Sequence, residues 1–271
     1  MRTDEPLPDF TAPPVNETAI SIQFVPIANF GVPHYGLYWK LLREEFPNYQ
    51  VQPPIVNVTE QFDVPVRVPR LGLQFVMQPE MRCWYLDASG NRLLQLQNDR
   101  FVHNWRQVSG NEPYPRFPKI REMFLAEWTR FCDFLKQENL PQPQINQCEV
   151  TYVNHIEYYK GWDGYGDLGS VIAPWSGNAS EGFLPSPEKV NMEAHYRLPS
   201  NLGRLHIAVE PVVRGRDTKE VLQITLTARG APVSSAQEDV FNWIDLGRKW
   251  VVKGFCDFTA AKMHQTWGKT S

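Results

Sequence analysis

The stretch QNDRFVHNWR (97–106) decides how the chain is read. In an extended strand successive side chains point to opposite faces. Phe101, His103 and Trp105 then share one face, and Asn98, Arg100, Asn104 and Arg106 share the other. QCEVTYVNH (147–155) divides in the same way: Cys148, Val150, Tyr152 and Asn154 against Gln147, Glu149, Thr151 and His155. Each segment therefore offers one apolar and one polar face, the pattern of a sheet covered on one side only. If the two are neighbours, Arg100 or Arg106 faces Glu149, and a guanidinium and a carboxylate pair in two-pronged fashion. The candidate site is a polar cleft made of Arg100, Asn104, Arg106, Glu149 and His155, suited to a small anionic ligand. The competing reading is an interior ion-pair network.

Between these segments lies RFPKIREMFLAEWTRFCDFLKQENL (116–140). Phe117, Ile120, Phe124, Trp128, Phe131 and Leu135 recur at intervals of three and four, which predicts an amphipathic helix packed on a sheet. Upstream, AISIQFVPI (19–27) alternates and is β-branched, a strand. HYGLYWKLLREEF (34–46) carries Tyr38, Leu42 and Phe46 on one helical face. Residues 47–70 are irregular and punctuated by proline, a strand is expected at 71–77, and the turn formers of 87–91 predict a hairpin. The order resembles a split βαβ unit.

Downstream, residues 191–198, 203–213 and 221–230 form a meander. Met192, Ala194, Tyr196, Leu205, Ile207, Val209, Leu222, Ile224 and Leu226 mark its apolar face. EDVFNWIDLGRKWVVKGFCDF (238–258) is a covering helix. Gly247 and Gly254 on its apolar stripe predict close approach to the sheet, since each helical glycine costs about 1 kcal/mol relative to alanine. Thr259 is the expected N-cap of a short closing helix. The organisation is an N-terminal arm (1–18), an α+β domain (19–156), a Gly/Pro/aromatic loop (157–190), and a meander with C-terminal helices (191–271). The fold class is α+β, with two mainly antiparallel sheets, each covered by a long amphipathic helix.

The 157–190 loop holds Gly164-Tyr-Gly166-Asp-Leu-Gly169, a literal dinucleotide fingerprint. That motif works only between a strand and the helix whose N-terminus meets the pyrophosphate. Pro174 and Gly177 prevent such a helix, so this is a loop. Tyr158, Tyr159, Trp162, Tyr165 and Trp175 crowd the same region. Exposed, they make a docking or base-stacking surface; tucked in, they tie the loop to the sheet.

Of the 271 residues 42% are hydrophobic and nine are Trp, as in a globular chain with a substantial core. The net charge of −3 provides no global attraction to nucleic acid or anionic lipid. No run is long enough for a membrane span, and the proline-rich, acidic start lacks a secretory signal, so a cytoplasmic location is expected. The four cysteines form no CxxC pair and read as buried thiols, and the histidines lack metal-ligand spacing. Neither metal nor cofactor is expected. No nucleophile elbow or phosphate loop is present.

APPVNETAISIQFVPI, QNDRFVHNWR, YPRF, NQCEVTYVNHI, GRLHIAVEP, TLTARG and VVKGFCDFTAAKMHQTWG together resemble a sporadically distributed family of uncharacterised bacterial proteins, over 13–268. The resemblance implies a bacterial cytosolic protein, patchily inherited, with a hint of mobile or defence-associated operons. It supplies no activity, cofactor or site residue. The expected function is therefore a non-enzymatic binding or assembly protein, with a protein partner, a second copy or a small anion. The alternatives are a hydrolase or nucleotide-acting enzyme using the Arg/Glu/His cleft, and a single-stranded nucleic-acid binder.

Overall fold

The computed structural model describes residues 6–63, 81–176 and 183–270. Within them the chain runs β1 (Val15–Phe24), α1 (Val32–Leu42), β2 (Asn48–Gln52), β3 (Arg82–Leu86), β4 (Arg92–Gln97), β5 (Arg100–Arg106), α2 (Phe117–Gln137), β6 (Ile145–Glu157), β7 (Met192–Arg197), β8 (Arg204–Val213), β9 (Glu220–Gly230), α3 (Gln237–Phe258) and α4 (Ala261–Thr266).

These nine strands form one antiparallel sheet in the order β2-β3-β4-β5-β1-β6-β9-β8-β7. This overturns the expectation of two sheets, each with its own helix. β1 lies between β5 and β6, pairing Ile20 with His103 on one side and with Val150 on the other. β6 then carries the sheet into the meander by pairing with β9, Tyr152 opposite Leu226. The two halves are thus fused through their hydrogen-bond ladders.

The strand parities hold across the seam. Ile20, Ile22, Phe24, Phe101, His103, Trp105, Val150 and Tyr152 lie on one face, and α2 and α3 both cover that face. α2 buries Phe117, Ile120, Phe124, Trp128, Phe131 and Leu135. Phe101 stacks on Phe131 at 5.2 Å between ring centroids. α3 meets the sheet through glycine: a Cβ on Gly254 would lie 2.5 Å from Leu205 Cδ2, and one on Gly247 3.3 Å from Val150 Cγ2. Close approach at both positions is what the helix stripe predicts.

Several local expectations shift. β1 begins at Val15, so the arm is shorter than 18 residues. The run 92–107 is two strands joined by a turn at 98–99. β2 is an edge strand. The N-cap of α4 is Ala260, because the Thr259 hydroxyl turns back to the Phe255 carbonyl at 2.6 Å. The strand expected at 71–77 lies outside the described residues. No described helix is long and apolar enough to cross a membrane.

Candidate functional site

Pro53 and Pro54 end β2, since proline removes a ladder donor. Residues 53–63 then cross the polar face as a strap. The backbone of the strap is satisfied by glutamines standing on the strands. Ile55 N–H donates to Gln97 Oε1 at 2.8 Å and Ile55 C=O accepts from Gln97 Nε2 at 3.1 Å. Val58 N–H donates to Gln23 Oε1 at 3.2 Å, and Asn57 Nδ2 to Asp99 Oδ2 at 2.6 Å.

Farther along, the strap meets arginines. Arg229, Arg204 and Arg197 are directly opposite one another across β9, β8 and β7. Like charges in register repel. Glu60 neutralises this row: it pairs with Arg204, approaches Arg229 at 3.5 Å and meets His206 Nε2 at 2.6 Å. Asp63 pairs with Arg197 at 2.8 Å. Burial pushes the Glu60 carboxyl up, but the His206 hydrogen bond and the charges of His206, Arg204 and Arg229 outweigh it, and its pKa is lowered.

Beside the strap is a cleft of about 260 Å³ lined by Glu17, Ser21, Asn104, Glu149, Thr151 and Arg229, with Arg100 also in its wall. The hydrogen bonds of its wall run in one direction. Gln95 Oε1 accepts from Arg82 Nη1 at 2.7 Å and from Trp84 Nε1 at 2.9 Å. Gln95 Nε2 is therefore left to donate to Asn104 Oδ1 at 2.7 Å, and Asn104 Nδ2 donates to Glu17 Oε1 at 2.6 Å. Burial raises the pKa of Glu17 against the pull of Asn104 and Arg106.

Arg100 is 6% exposed. Its Nη2 donates to Gln23 Oε1 at 2.6 Å, its Nε is buried without a partner, and it makes no ion pair among the described residues. Burial lowers its pKa, while the more distant charges of Glu149 and Asp99 work the other way. Glu149 is committed to Arg229 Nε at 2.5 Å.

Arg100, Asn104 and Glu149 thus share one cleft, as parity predicts, but β1 separates their strands and Arg229 takes the carboxylate. Arg106 shares the face yet turns away, donating to Gly90 C=O at 2.9 Å over the Trp84 ring. His155 lies farther along β6 against Gln223 at 3.1 Å and does not line the cleft. An Arg/Glu/His constellation is therefore not assembled there.

The aromatic loop tucks in. Trp162 is buried and stacks on Tyr158 at 4.6 Å, Tyr165 is buried against both, Trp175 is half-buried, and Tyr159 alone of the five is exposed. Gly164, Gly166 and Gly169 belong to a 3-10 turn (Tyr165–Ser170) and its approach, with no strand-to-helix junction. Burial raises the thiol pKa values of Cys83, Cys132, Cys148 and Cys256, that of Cys132 to about 11, which keeps them protonated.

A second polar cluster escaped the sequence reading. On the helix-covered face, His103 Nδ1 meets Glu127 Oε2 at 2.6 Å, and Arg92 Nη2 reaches Glu127 Oε1 at 2.9 Å. His103 and Glu127 are both buried. Burial raises the Glu127 carboxyl, and His103 and Arg92 bring it below its ordinary value. The signal was a carboxylate three residues after Phe124 on the apolar stripe of α2. Comparison with family models, curated proteins and solved structures finds no match, so the chemistry of the site rests on its own geometry.

Proposed function

We propose that the protein is a binding protein that holds a small anionic ligand in the sheet-face cleft, without chemical conversion. One observation carries this reading: the Arg100 guanidinium is buried with no carboxylate in contact and a free Nε–H. A buried charge is costly unless paired. A carboxylate or phosphate supplies the missing partner and accepts two parallel hydrogen bonds from the fork. Ser21, whose buried hydroxyl also lacks a partner, stands on the same strand face and lines the same cleft.

Titration calorimetry with succinate, citrate and inorganic phosphate tests the reading. At least one of them should bind the wild type with one-to-one stoichiometry. Arg100→Gln should abolish that heat and Arg106→Gln should leave it intact. Absence of binding by all three anions, or binding unaffected by Arg100→Gln, overturns the proposal.

The assembly alternative has its own support. Among the described residues nothing pairs with the outer edge of β2 or β7, and open edges invite a further strand. Light scattering after gel filtration should show a dimer in that case; a monomer at all concentrations removes it.

A further inference from the structure

A second cavity, of about 230 Å³, lies on the opposite face of the sheet, where α2 begins and α3 ends. Much of its wall is apolar: Val15, Phe117, Leu226, Val251 and Phe255 are buried. Residues 8–13 of the arm contribute to it and are tied down at their margins. Thr11 and Ala12 N–H donate to Gly268 and Trp267 C=O, each at 3.0 Å. Arg116 Nη1 holds Asp9 at 2.9 Å and the Phe10 carbonyl at 3.0 Å.

The polar groups lining this cavity are the Tyr114 and Tyr152 hydroxyls, the Asn154 amide, Arg248, and Asp9 paired with Arg116. Tyr114 and Tyr152 share one hydrogen bond between their hydroxyls at 3.0 Å. Arg248 stands over the Phe117 ring at 4.8 Å, its Nε buried and without a partner. Burial raises the Tyr152 pKa, and the charge of Arg248 and the hydrogen bonds that the hydroxyl accepts from Tyr114 and Arg248 oppose the rise. A cavity of roughly 150 Å³ lined by aliphatic and aromatic groups already admits benzene. The present one has room for a ring plus one substituent, and the buried Arg248 Nε–H, which has no partner, is a charged donor for an anionic acceptor.

We propose that this cavity binds a monocyclic aromatic carboxylate, the ring among Leu226, Val251 and Phe255 and the carboxylate at Arg248. The site is separate from the Arg100 cleft and does not depend on it. Pro8, Asp9, Phe10 and Pro13 form one wall, held by backbone hydrogen bonds to 267–270, by Arg116 and by the buried Phe10 ring against Phe255 and Trp267.

Benzoate, benzyl alcohol and acetate are the probes, read by calorimetry and by thermal melting of the full chain. Benzoate should bind one-to-one and raise the melting temperature, and acetate should do neither. Arg248→Met should weaken benzoate by about tenfold or more, the scale of a lost charged hydrogen-bond pair, while benzyl alcohol changes less than about twofold. Arg248→Lys, which keeps the charge without the fork, should fall between and serves if Arg248→Met does not fold. Arg100→Gln should leave benzoate unchanged. Benzoate that fails to bind the wild type overturns the proposal. So does benzoate that is insensitive to both Arg248 variants, or that loses its site with Arg100→Gln.

Discussion

Glu127 shows how much one side chain can hold in place. Its carboxylate is shared by His103 and Arg92 inside the helix-covered face, and its backbone carbonyl accepts from the Tyr38 hydroxyl at 3.4 Å. Removing one partner of a buried ion pair is worth about 3–5 kcal/mol, because the remaining charge is stranded. Glu127→Gln should therefore lower stability by about 3 kcal/mol in urea titrations, whereas Asp245→Asn, on an exposed pair with Arg121, should be nearly silent. His103 was legible as a member of the apolar face beside Phe101 and Trp105. Its partner was not, because helix spacing indicates that Glu127 turns inward without saying which strand waits there.

Two carboxylates of the polar face should respond to pH in opposite senses. Glu60 has a lowered pKa in the fold, so its contribution is fully present above the ordinary carboxylate range and is lost as pH falls through the lowered value. The stability difference between wild type and Glu60→Gln should be constant at neutral pH and shrink toward acid. Glu17 has a raised pKa, so the folded state disfavours its charge and the penalty grows as pH rises. Glu17→Gln, which can still accept from Asn104, should melt above the wild type at pH 8 and approach it at low pH. A Glu17→Gln protein that melts lower at pH 8 would contradict the desolvation account.

At the scale of elements, α3 is held by what its glycines lack. Leucine at position 254 must displace Leu205, and overpacking of this kind costs about 1–3 kcal/mol. Gly254→Leu should lose that much in urea titrations, and an unchanged midpoint would show that the helix sits higher on the sheet than described. The helices and the alternating strands were readable because each buries a periodic stripe. β2 was not, since four of its five residues are exposed and the fifth is half-buried, leaving no apolar alternation to see. The turn at 98–99 was hidden because Leu93 and Val102 are buried on the polar face as well, so the run 92–107 looks continuous. The strap was seen only as irregular chain: its partners are side chains of distant strands, which no local pattern announces.

For the whole molecule, the question was one sheet or two. Parity tells which way a side chain faces and is silent about which strand lies alongside. β1 sits between β5, some eighty residues later, and β6, later still, and neither pairing has a short-range signature. The one-sheet architecture makes a definite prediction. With β1 and β6 ladders running through the seam, urea unfolding followed by tryptophan fluorescence and by circular dichroism should give one coincident transition. Two separate midpoints would restore a two-unit organisation.

The strap across the polar face also imposes an order of events. Glu60 and Asp63 leave a ribosome long before Arg197, Arg204, His206 and Arg229 exist to receive them. Closing contacts over so long a stretch of chain is slow, and here it must wait for the meander to form. The cleft is thus completed at the end of folding rather than at its beginning, and, on the proposed function, recovery of binding by whichever of the three anions the protein takes should lag behind recovery of the helical signal after dilution from urea.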